Sequence, residues 1–77
     1  MVIGDSMFLV NTDHGSIVYS VQPHQLIDRP GSTLRERAMM YGTQIAVSNQ
    51  GQWYRPGMRE LITDKRTIAL LERVPQA

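Results

Sequence analysis

Two runs of strand-forming residues open the chain, 7–10 (Met-Phe-Leu-Val) and 16–21 (Ser-Ile-Val-Tyr-Ser-Val). Between them Asn11, Thr12, Asp13, His14 and Gly15 supply turn chemistry, with a glycine for positive φ. The pattern predicts an N-terminal β-hairpin. Pro23 ends the second strand, and 24–28 has room for one helical turn before Arg29, Pro30 and Gly31 break the chain. Ser32 or Thr33 then suits the N-cap of a helix running to about Tyr41, with Glu36 near its first turn and Gly42 at the C′ position. Leu34, Ala38 and Tyr41 fall at i, i+4 and i+7 and predict the buried stripe of that helix. Arg35, Glu36, Met39 and Met40 point away from it at about 100° per residue.

Short strand-like runs follow at 44–47 and 52–55, around Ser48, Asn49, Gln50 and Gly51, which fit a tight turn. This second hairpin carries Trp53 and Tyr54 and is closed by Pro56 and Gly57. Beyond it, Met58, Leu61 and Ile62 fit one face of a helix over 58–62, and the apolar run inside 67–73 reads as a strand. Periodicity alone leaves the end of the chain as helix or strand, because so short an apolar run fits either. The predicted class is α+β: one small domain over 1–77 with an N-terminal β-hairpin, a central helix, a second, wing-like β-hairpin and a C-terminal helix or strand.

A chain of 77 residues buries only about 60 % of its extended surface on folding. With 42 % apolar and 19 % charged residues, it lies away from the composition of disordered chains. The absence of cysteine removes disulfides, thiol catalysis and cysteine-bound zinc. Together with the lack of a basic n-region or a long apolar span near the start, it makes a cytoplasmic location the expectation and a signal peptide or membrane span not expected. His14 and His24 have no clustered carboxylates around them, and Gly31-Ser32-Thr33 lacks the lysine of a phosphate loop. No constellation for acid–base or nucleophilic work stands out. The expectation is a protein that binds without turnover and without a cofactor.

Charge changes the picture more. Residues 1–28 contain Asp5, Asp13 and Asp28 and no lysine or arginine, a formal charge of −3. Residues 29–77 hold all eight basic residues, seven of them arginine, for +4. An arginine-biased half suits phosphates or carboxylates, which the guanidinium fork binds bidentately. Over 21–61, Val21 and Pro23 precede a short helix with Leu26. Arg29 and Gly31 follow at a turn, then Ser32-Thr33-Leu34-Arg35 with Ala38 and Gly42, a hairpin from Ile45 to Tyr54, and then Arg55 and Leu61. This arrangement resembles the winged helix-turn-helix of MerR-type regulators and phage excisionases. The resemblance implies a second helix in the major groove of duplex DNA, with Thr33, Arg35, Arg37 and Met39 facing it, and Asn49, Gln50, Gln52 and Arg55 on the wing. Arginine would read guanine edges or phosphates, and Asn and Gln would read adenine. Arg29 and Arg59 would add phosphate neutralisation and salt dependence.

The competing expectation is a protein-binding inhibitor or adaptor that docks on a larger protein. Here Met40, Trp53 and Tyr54 are the candidate contacts. The N-terminal hairpin, with no lysine or arginine to blunt it, offers an open edge for a partner strand or for a homodimer.

Overall fold

The computed structural model describes residues 6–26 and 30–77. Four strands form one antiparallel sheet in chain order: β1 (Ser6–Thr12), β2 (Gly15–Val21), β3 (Thr43–Asn49) and β4 (Gln52–Tyr54). A single 3-10 turn (Pro23–Leu26) and helix α1 (Leu34–Tyr41) stand between β2 and β3, and helix α2 (Lys65–Glu72) follows β4. Residues 27–28 of the expected turn, and Arg29, lie outside the described residues.

Register fixes the two faces. Leu9, Val18 and Ala46 stand opposite one another across β1, β2 and β3. The next row, Val10, Ile17, Val47 and Tyr54, crosses all four strands. Successive side chains alternate between faces, so these rows lie on opposite sides of the sheet. Helix α1 covers the second side through Ala38, which joins Val10, Tyr19 and Val21, with Phe8, Ile17 and Ala77 packed against them. Helix α2 covers the first through Leu71, which joins Val18 and Ala46, with Leu9, Trp53, Ile62 and Val74 around them. Val18 and Val21 are both fully enclosed, so β2 is buried on both faces.

The helices begin where their caps allow. Thr33 Oγ1 accepts from the Glu36 amide (3.1 Å) and donates to Glu36 Oε1 (3.1 Å), so the expected N-cap of α1 is present. Gly42 closes α1 in extended backbone, its N–H donating to Ala38 O (2.8 Å). Glycine is needed there for space, since a Cβ would lie 2.5 Å from Ala38 O and 3.0 Å from Tyr19 Cβ. The expected stripe of α1 is corrected at one end: Ala38 is buried and Leu34 half-buried, whereas Tyr41 is exposed.

The stretch after β4 differs from both expectations made for it. A helix over 58–62 is ruled out by the turn at Pro56 and Gly57, which leaves Gly57 at φ 89° and Met58 at φ 57°, in the left-handed region that an α-helix cannot use. The chain runs back along β4 instead: Tyr54 bridges Leu61, Arg55 N–H donates to Glu60 O (2.8 Å), and Ile62 N–H donates to Trp53 O (2.9 Å). Residues 67–73, expected as a strand, lie mostly within α2, because Asp64 caps a helix there. Its Oδ2 accepts from the Thr67 amide (3.2 Å) and hydroxyl (2.6 Å).

The open edge expected on the N-terminal hairpin is also corrected. Leu9 N–H donates to Pro75 O (2.8 Å), and Ala77 N–H donates to Leu9 O (2.8 Å), so residues 75–77 take up the middle of that edge. Each outer strand thus carries a segment of its own chain.

Two substitutions test these assignments. Gln50 takes a left-handed φ of 52° beside Gly51 at 79° in the two-residue β3–β4 turn. Asparagine tolerates that conformation better, and Gln50→Asn is expected to raise stability by about 0.5 kcal/mol in urea unfolding. Leu71→Ala opens the core under α2 and should cost about 2–3 kcal/mol by the same measurement.

Candidate functional site

Helix α1 carries the first candidate surface. It lies over β1 and β2, leaving Met39 (48 % exposed), Met40 (74 %) and Tyr41 (49 %) in succession at its C-terminal end. Arg35 is exposed earlier on the helix. Thr33 is occupied as the cap. Arg37, expected beside Arg35 on a DNA-facing surface, turns inward: it is 6 % exposed, and its Nη1 donates to Ser32 O (3.0 Å). That bond ties the helix to the segment entering it, and the guanidinium is not available to a phosphate on the surface.

The expected wing is part of the main sheet, because β3 pairs with β2 along most of its length. Its residues divide between the faces. Asn49 stands opposite Gln52, and Tyr54 follows two residues on, placing all three on the α1 side. The Tyr54 hydroxyl donates to Gln52 Oε1 (2.9 Å). Gln50 is exposed in the turn. Trp53 and Arg55 belong to the opposite side, where Trp53 packs half-buried against Val18, Ala46 and Leu71. Asn49 and Gln52 therefore lie on the side of the sheet that α1 and its Arg35 cover, Arg55 lies on the other, and Trp53 is on the face opposite Tyr54 and α1 with its Met40.

The second candidate lies on that opposite side. A cavity of about 280 Å³ opens between β3, the segment after β4 and α2. Ile45, Ala46, Leu61, Ile62 and Leu71 supply its apolar walls, and Arg55, Glu60, Thr63, Asp64 and Thr67 its polar ones. Consecutive Ile45 and Ala46 both line it because the β2–β3 register shifts between Val18 and Tyr19, leaving Ile45 without a Cα partner. Arg55 Nε meets Glu60 Oε2 at 3.5 Å in an exposed pair, which contributes little in water. Asp64 is held below the usual carboxylate range by the Thr67 hydroxyl, then by the Thr67 amide, with a smaller contribution from the Arg66 amide.

This cavity went unrecognised in the sequence. One signal was available: Asp64 and Thr67 have the spacing of a helix cap, which would have marked the start of a helix at residue 65.

Among the described residues no group of three potential metal-ligating side chains forms; His14 and His24 are both exposed in turns. Nor is any described helix long and apolar enough to cross a membrane. Comparison with protein-family models, with curated proteins and with solved structures returned no match.

The cap sets a pH dependence. Because the folded Asp64 carboxyl titrates below its unfolded value near 3.8, its contribution is present above that value and is lost as pH falls through the folded one. Asp64→Asn preserves a capping side chain but does not titrate. Between about pH 5 and pH 2.5, wild-type thermal midpoints should fall further than those of this variant.

Proposed function

We propose that the domain is a small binding protein that associates stoichiometrically with a larger protein through the C-terminal end of α1. The observation that carries this reading is the run Met39, Met40 and Tyr41, three large apolar side chains left exposed in succession. Methionine is unbranched and polarisable and adapts to a partner's contour, and three large apolar side chains spread around one exposed helical turn offer a partner that turn to enclose. The inward turn of Arg37 lowers the cationic character that α1 offers to nucleic acid, which favours protein over DNA. A regulatory role without turnover and a cytoplasmic location belong to the same reading, consistent with a cysteine-free chain.

Duplex DNA is the second reading. It is supported by the placement of exposed Arg35 on α1 and of Asn49 and Gln52 on the same side of the sheet. An excisionase-like or regulator-like protein would use these groups on phosphates and base edges.

One paired experiment separates the two. The immobilised protein and its Met40→Asp and Arg35→Ala variants are exposed to cell extract, and each is titrated with labelled random duplex DNA at two salt concentrations. The proposal expects a partner retained by wild type and Arg35→Ala, reduced at least tenfold by Met40→Asp, with little response to salt. Steeply salt-dependent DNA binding that Arg35→Ala weakens would overturn it in favour of DNA.

A further inference from the structure

The cavity on the α2 side is separate from the α1 surface and has a composition of its own. Its floor is aliphatic, from Ile45, Ala46, Leu61, Ile62 and Leu71, and Ile45 and Leu61 remain substantially exposed to its opening. Its volume of about 280 Å³ exceeds the roughly 150 Å³ that encloses a benzene-sized molecule, leaving room for a polar head. Of its charged groups, Arg55 and Glu60 lie within 3.5 Å of each other at the exposed rim and offset one another in sign. Asp64 differs: its Oδ2 accepts from the Thr67 amide (3.2 Å) and hydroxyl (2.6 Å), both neutral groups, so its negative charge faces the cavity. A ligand that matches both parts has an apolar body and a positive head.

We propose that this cavity binds a small organic amine, with the hydrocarbon on the floor formed by Ile45, Leu61 and Leu71 and the ammonium beside the Asp64 carboxylate. The apolar contact supplies most of the affinity, and the carboxylate selects the sign of the head group. Asp64 stands at the exposed mouth, so the selection is modest, about threefold over a neutral head of the same size.

Trp53 packs in the cluster containing Ala46, Leu71 and Ile62 and provides an intrinsic fluorescence reporter next to the site. The test titrates the protein with n-hexylamine, 1-hexanol and hexanoate at pH 7 and constant ionic strength, following Trp53 emission and amide shifts of 61–67. The expected result is saturable millimolar binding in the order amine, alcohol, carboxylate. Asp64→Ser, which retains a capping hydroxyl, should bring amine and alcohol to equal affinity. Leu61→Ala, at an exposed position, should weaken amine and alcohol by the same factor. Circular dichroism on each variant confirms that the fold is retained. Absence of saturable amine binding by the wild type, hexanoate binding as well as the amine, or amine selectivity that survives Asp64→Ser would each overturn the proposal.

Discussion

The burial of β2 on both faces is the constraint on which the rest of the structure depends. In a chain this short one sheet face is normally left to water, yet Val18 and Val21 are both fully enclosed on opposite sides of the same strand. Each side needs its own cover. Helix α1 serves Val10, Tyr19 and Val21 through Ala38, and α2 serves Val18 and Ala46 through Leu71. The small residues Ala38 and Ala46 at these contacts let helix and sheet approach closely. Neither core cluster holds more than a few fully buried side chains, so losing either helix would expose the strand that organises the sheet.

The edges follow a related logic. A four-stranded sheet has two outer strands whose unpaired backbone groups invite association. Here the segment around Leu61 lies along β4 and residues 75–77 lie along β1. Both segments are short and irregular, and each is positioned by α2, which stands between them in the chain. The helix therefore covers a face and delivers a cover to an edge on either side. Met7, Met58 and Leu70 are exposed at scattered positions, whereas Met39, Met40 and Tyr41 share the end of α1 and Ile45 and Leu61 share the cavity; the functional proposals rest on those two places.

Much of this was legible in the residues. The turn glycines, the strand-forming runs 7–10 and 16–21 and the cap at Ser32 or Thr33 pointed to the first hairpin, α1 and the second hairpin, because each is decided by local chemistry. The end of the chain carried one such local signal, the cap spacing of Asp64 and Thr67, against an apolar run that fits either element. Residues 67–71 are apolar enough for a strand or a helix, and the choice is made by the Asp64 cap together with the need for Leu71 to cover Val18 and Ala46, which lie 53 and 25 residues before it in the chain. Residues 58–62 show a helical spacing that the left-handed turn at Gly57 and Met58 interrupts. The inward course of Arg37 was hidden for another reason: an arginine beside Arg35 and Glu36 has the look of a solvated helix face, and its bond to Ser32 depends on how the chain enters α1. The cavity depended on the register shift at Ile45, which no local pattern announces.

The most direct measurement of the two-sided burial of β2 is a methyl-resolved nuclear Overhauser experiment with backbone chemical shifts. The account predicts contacts of Leu71 methyls with Val18 or Ala46, contacts of the Ala38 methyl with Tyr19 or Val21, and helical Cα shifts through 65–72. Extended shifts over 67–72 with no Leu71 contact to either residue would contradict it, leaving one face of the sheet uncovered.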